Sequence, residues 1–319
     1  MPILELVAGL ALLVAGGEGL VRGSVAVATR LGVSPLIIGL TLVGFGTSTP
    51  ELVASVQAAL IGAPGIAVGN VVGSNIANVF LVLGASAVIL PVVAERGALR
   101  RDGTVMILAS LVMIAIVLYG TLGRWVGVGL VALLVVYTVG CFVKDMRSDN
   151  GVDTAGELPH WPRTLPTALV LALAGIVGVV TGADLLVDSA VELAALMGLS
   201  EATIGLTIVA VGTSLPELVT SVVAAIRRHG DVALGNVVGS NIFNILGIAG
   251  VTAIVVPIPI PEEIVRFDVW IMAGAAVLLV ALAATRRGIG RLEGALFLAA
   301  FVAYIAVQFS PPARAVLGI

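Results

Sequence analysis

Two stretches decide how this 319-residue chain is read: GFGTSTPELVAS, from Gly44 to Ser55, and AVGTSLPELVTS, from Ala210 to Ser221. Each lies in an otherwise uncharged apolar run and carries one acidic residue, Glu51 or Glu217. A carboxylate at bilayer depth costs about 2.5–3.5 kcal/mol on insertion scales, so its presence there points to function. The same costly residue occurs twice in the same local sequence.

The bilayer itself is inferred from composition. Hydrophobic residues make up 59% of the chain, charged residues 11%, and the mean hydropathy is +1.18. A soluble domain carries about a quarter charged residues. The pattern predicts an all-α integral membrane protein with ten transmembrane helices, at about 3–29, 34–62, 65–90, 103–121, 125–144, 165–197, 200–227, 231–256, 267–285 and 289–309. The first apolar stretch has no basic residue before it and no A-x-A-type cleavage site, so it reads as a retained helix. A net charge of −3 without a basic block argues against nucleic acid as a partner, and no obligate protein partner is evident. The single cysteine, Cys141, reads as a small lipid- or core-facing residue.

Adding 166 to a position in the first half lands on a matching residue in the second. Gly39-Leu40-Thr41 meets Gly205-Leu206-Thr207, Glu51 meets Glu217, and GNVVGSN at Gly69–Asn75 meets GNVVGSN at Gly235–Asn241. The register runs without a gap from about Gly16 to Pro91. Five spans per half is an odd number, so the second copy enters the membrane from the other side. The expected architecture is therefore two inverted five-helix repeats: residues 1–144, with motifs at about 44–84, and 165–319, with motifs at about 210–250. Residues 145–164 form a linker whose acidic residues fit no EF-hand pattern and read as a solvated connection. With the N-terminus outside, predicted cytoplasmic segments hold twelve Lys and Arg against three outside, which places both termini outside the cytoplasm in a multi-pass cell-membrane protein.

The residue types at the motifs are those of a hard-cation site. Pro50 and Pro216 lack an N–H and should break their helices, freeing carbonyls where the backbone lines a polar cavity. Thr47 and Glu51 share a helix face with Ser48 beside them, and Thr213, Ser214 and Glu217 repeat the set. Ser74 with Asn78, and Ser240 with Asn244, present a hydroxyl and an amide four residues apart. Asn70, Asn75, Asn236 and Asn241 are further polar positions, some of which should instead bond neighbouring helices. Oxygen donors without histidine or thiolate suit Ca²⁺ or Na⁺. Glu18 and Asp184 are repeat-equivalent; Glu18 is expected to pair with Arg22 one turn on, while Asp188 and Glu192 continue the Asp184 face toward interfacial water. His160 and His229 fall in loops and take no role.

GTSTPEL with GNVVGSNIAN, repeated as GTSLPEL with GNVVGSNIFN, resembles the two α-repeats of the cation/Ca²⁺ exchanger superfamily, and within it prokaryotic sodium/calcium exchangers. The resemblance covers nearly the whole chain. It implies that Glu51 and Glu217 are the main Ca²⁺ ligands and also serve Na⁺, with Thr47, Thr213, Ser48 and Ser214 beside them. It further implies backbone carbonyls of Gly44 and Ala210 facing Na⁺, and Ser74, Asn78, Ser240 and Asn244 completing the site. Ca²⁺ and Na⁺ are then transported ions, and no cofactor is expected. Some members carry an aspartate at one of the positions of Asn78 and Asn244; here both are asparagine. The expected activity is Ca²⁺/Na⁺ antiport by alternating access. Ca²⁺/H⁺ exchange is the alternative, and a passive cation channel is disfavoured because one chain supplies both symmetric halves.

Overall fold

A computed structural model describes residues 2–93, 96–147, 162, 164–196, 212–262, 264–286 and 288–310. The described chain is almost wholly helical: α1 (Pro2–Leu31), α2 (Pro35–Thr47), α3 (Thr49–Leu60), α4 (Pro64–Ile89), α5 (Arg96–Tyr119), α6 (Arg124–Arg147), α7 (Leu165–Leu196), α8 (Leu215–Ile226), α9 (Gly230–Val255), α10 (Ile264–Thr285) and α11 (Arg291–Gln308). Eight of these are long and apolar enough to cross a membrane, and α2 with α3, bent by 44° at their junction, add a ninth. Of the seventh expected span, only the part from Gly212 onward lies within the described residues, and most of the 145–164 linker, with His160, lies outside them. Helix α5, the fourth expected span, starts at Arg96, ahead of the expected 103, because its first turns are polar and carry no hydropathy signal.

α4 and α9, the helices bearing GNVVGSN, are the central ones, with 72% and 83% of their apolar windows buried against 11% for α11. Close backbone approach makes this possible. A Cβ at Gly239 would lie 2.1 Å from the Leu40 carbonyl oxygen, so α9 crosses α2 with backbone almost on backbone. α1 and α7 form a second tight pair. Gly9 faces Gly182, Gly16 faces Gly175 and Val179, and Gly23 faces Ala172, an antiparallel seam of small residues at seven-residue spacing. Large apolar side chains on α5 and α6, such as Leu108, Leu111, Leu133 and Val136, point outward, as a lipid-facing surface requires.

Two small antiparallel ladders tie connections together: β1 (Val92–Val93) pairs with β4 (Gly288–Ile289), and β2 (Thr121–Leu122) with β3 (Ile258–Pro259). Each ladder joins a first-half connection to a second-half one. Under the 166-residue offset β1 falls on β3, and β2 falls within one residue of β4.

A paired-carboxylate site between the broken helices

The break between α2 and α3 falls at Ser48, two residues before Pro50, with φ −83° and ψ 11°. Ser214 has nearly the same conformation, φ −90° and ψ 3°, two residues before Pro216. In both copies proline sits in the first turn of the new helix, where its missing N–H costs nothing. The predicted breaks are therefore present but lie just upstream of the prolines. Each puts its glutamate in the first turn of a helix, where the positive end of the helix dipole favours negative charge.

Glu51 and Glu217 are 2% and 1% exposed and lie close enough to interact electrostatically. Ser48, from the first motif, donates its hydroxyl to Oε1 of Glu217 at 2.8 Å, so the two copies meet in one site. Thr47 and Ser214 are buried beside them, and the Thr47 hydroxyl reaches the Val43 carbonyl at 3.0 Å and Oδ1 of Asn236 at 3.2 Å. Thr213 is half-buried and lines a neighbouring cavity. The Gly44 carbonyl accepts from the Ser240 hydroxyl at 3.3 Å, where α9 crosses α2. Ser74, Asn78, Ser240 and Asn244 are all buried. Ala210 lies outside the described residues.

The asparagines divide by role. Asn70 donates to the backbone carbonyl of Glu51 at 3.0 Å and to the Ser55 hydroxyl at 2.8 Å. Asn236 does the same to Glu217 and Ser221, at 3.3 and 2.8 Å. These amides hold the glutamate-bearing helices from behind. Asn75 turns to the Val71 carbonyl and Asn241 to the sulfur of Met106. Ser55 and Ser221 were not singled out by the sequence reasoning, although their identity in both copies marks them. The opposite case is Asn244: among the described residues, neither amide atom has a hydrogen-bond partner, and neither does Oε2 of Glu51 or of Glu217. Buried polar atoms of this kind are costly unless something binds them.

Both π-helical turns of the central helices start beside these amides, at Asn78–Leu83 and Phe243–Ile248. Such turns loosen the regular ladder, and they concentrate at functional sites. Among the described residues no three acidic, histidine or cysteine side chains converge, and the paired carboxylates here are surrounded by neutral oxygens. That set binds hard cations by oxygen alone. Beside it, Pro50, Ala183, Asp184, Val187, Asp188, Gly212, Thr213 and Pro216 line a cavity of about 190 Å³. It touches the residue before each glutamate.

A second repeated carboxylate lies away from this site. Asp102 accepts from Tyr137 at 3.0 Å and from Arg101 at 2.6 Å, with Cys141 buried beside it, and Asp268, 166 residues on, accepts from Tyr304 at 2.9 Å and Gln308 at 2.5 Å. These aspartates join α5 to α6 and α10 to α11. Glu18 bonds Arg22, as expected, and also Arg227, which the sequence did not suggest.

Comparison with known proteins finds relatives over nearly the whole chain. A family model described as sodium/calcium exchanger protein matches residues 1–143 and 167–310. The chain is 34% identical over 346 residues to the sodium/calcium exchanger MaX1 of Methanosarcina acetivorans, covering 96% of this chain and 98% of that protein. It is also 34% identical over 311 residues to the inner membrane protein YrbG of Escherichia coli, covering 95% of each. A solved structure of the sodium-calcium exchanger NCX_Mj, soaked with 10 mM Na⁺ and no Ca²⁺, aligns with a TM-score of 0.83 at 34% identity, covering 96% of this chain and 98% of that one.

Proposed function

Because this chain belongs to the sodium/calcium exchanger family of cation antiporters, we propose that it exchanges Ca²⁺ for Na⁺ at the site between the broken helices. The observation that carries this reading is the pair Glu51 and Glu217, buried together, with Ser48 of the first motif bonded to Glu217, and each glutamate with a buried, unpartnered Oε2. Two carboxylates bring a charge of −2 into a cavity of neutral oxygens. One Ca²⁺ neutralises it, and so do two Na⁺, so the ions displace one another rather than bind together. Thr47, Thr213, Ser48, Ser214, Ser74, Ser240, Asn78, Asn244 and the carbonyls of Gly44 and Ala210 supply the remaining oxygens. MaX1 and NCX_Mj, both named sodium/calcium exchangers, support Na⁺ as the counter-ion.

The halves act as two inverted five-helix repeats around this site, in a ten-span chain with both termini outside the cytoplasm. The exchanged strand pairings and the mirrored bonds of Asn70 and Asn236 support a twofold relation, since each has its counterpart 166 residues on. The cavity at Pro50, Thr213 and Pro216 is the access mouth on one side. The 145–164 segment links the halves.

The second reading is Ca²⁺/H⁺ exchange, favoured by the absence of a third carboxylate at Asn78 or Asn244: two protons neutralise the remaining pair as completely as cations do. Reconstituted vesicles loaded with Ca²⁺ separate the two. An inward Na⁺ gradient at equal pH should drive Ca²⁺ efflux, and a pH gradient without Na⁺ should not. The reverse outcome assigns the proton as counter-ion.

A further inference from the structure

We propose that Glu18 and Arg227 form a latch that holds shut the pathway on the side of the site opposite the cavity. The proposal rests on the alternating-access reading but not on which ion is exchanged.

Helix α8 spans the distance between the two sides. Pro216 in its first turn, with Gly212 and Thr213 just before it, borders the cavity, and Glu217 follows directly. Arg227, at its C-terminal cap, is ten residues beyond Glu217, about 15 Å along the axis. Along this length α1 lies against α8, with the backbone of Gly17 facing Val219 and Val223. Leu20, Val21 and Val25 of α1 join Val43, Ala224, Val232 and Ala233 in one buried apolar cluster. This is a dry plug between the carboxylates and the far side.

The ion pair closes over the plug. Nε of Arg227 donates to Oε2 of Glu18 at 2.7 Å, and a terminal guanidinium nitrogen lies 2.6 Å from Oε1. Arg22, one turn along α1, bonds the same carboxylate. The Arg227 and Glu18 side chains are 48% and 25% exposed, which places the pair at the watery edge of the plug. A lone pair so exposed contributes little, but a two-pronged arginine with a third charge in the network is the geometry in which such pairs do count. It also joins residues 209 apart in sequence, one on α1 and one at the end of α8.

The same positions in the other repeat carry the opposite design. Glu18 falls on Asp184, Arg22 on Asp188, and Arg227 is matched by Ile61. Two carboxylates without a guanidinium cannot make the fork, and both line the cavity. One end of the pathway is clamped by opposite charges; its counterpart has no such pair. For the far side to open, α1 must part from α8 and the fork must break.

The test is cysteine accessibility in the full-length protein, with Cys141→Ala as background. Ala224→Cys reports on the plug, and labelling by a membrane-impermeant thiol reagent is followed from each side. Glu18→Gln and Arg227→Gln should each raise its labelling rate roughly fivefold, the effect of losing one modest ion pair. The double variant should do no more than either single one, and Arg227→Lys, which keeps the charge without the fork, should fall between. Arg227 is half-exposed and tolerates replacement if Glu18→Gln fails to fold. Unchanged labelling in Arg227→Gln, or additive effects in the double variant, overturns the latch. Val187→Cys in the cavity wall separates this from the functional reading: loss of its protection by Ca²⁺ would undermine the site assignment, whatever the Ala224 result.

Discussion

At the residue scale, the site depends on two charges and the groups that orient them. Glu51→Gln or Glu217→Gln removes half of the charge that a divalent ion must neutralise. Unpairing a buried charge costs about 3–5 kcal/mol, so Ca²⁺ affinity measured by calorimetry should fall roughly a hundredfold or more in either variant. Ser48→Ala removes one hydrogen bond to a carboxylate, worth about 1.5–3 kcal/mol, and should weaken binding roughly ten- to a hundredfold with the fold intact. Asn236→Ala should act differently, because Asn236 holds the backbone behind Glu217 rather than facing an ion; its loss should appear in thermal stability as well as affinity. The glutamates, hydroxyls and amides were legible because the sequence prints them twice. What could not be read was the direction of each amide. Asn75 and Asn78 differ by less than one helical turn, yet Asn75 bonds its own helix, as only the packing of α4 reveals.

At the element scale, the sequence foretold breaks from Pro50 and Pro216, and helices do end beside both. The new helices are capped at Ser48 and Ser214 instead, two residues upstream, because proline is comfortable in a first turn, where its missing N–H costs nothing. The π-helical turns beside Asn78 and Asn244 carried no sequence signal, since local propensity does not distinguish them from ordinary helix. The crossing of α2 and α9 makes its own prediction. Gly239→Ala places a methyl group 2.1 Å from the Leu40 carbonyl, so the helices must separate. Overpacking of this kind costs about 1–3 kcal/mol, and the melting temperature in detergent should drop accordingly. The cavity wall predicts a kinetic effect. Asp184→Asn with Asp188→Asn removes two negative charges from the mouth, so initial Ca²⁺ uptake at low ionic strength should slow several-fold. At high salt the difference should vanish, because screening already hides those charges.

At the scale of the whole molecule, the offset of 166 divides the chain into two halves, and the ladders divide it differently. β1 with β4, and β2 with β3, staple the connections of α4, α5, α6, α9, α10 and α11 to one another across the halves. Neither ladder includes a residue of α1 or α7, which pack on each other through their small-residue seam. The genetic unit and the mechanical unit are thus cut along different lines: duplication made two copies, while hydrogen bonding made a stapled frame and a separate two-helix slat lying along it. A bond welding slat to frame should therefore stop the machine without harming its ion site. Gly17→Cys with Val223→Cys, where the Val223 side chain packs against Gly17 between α1 and α8, should abolish exchange on oxidation, retain Ca²⁺ binding, and recover flux on reduction.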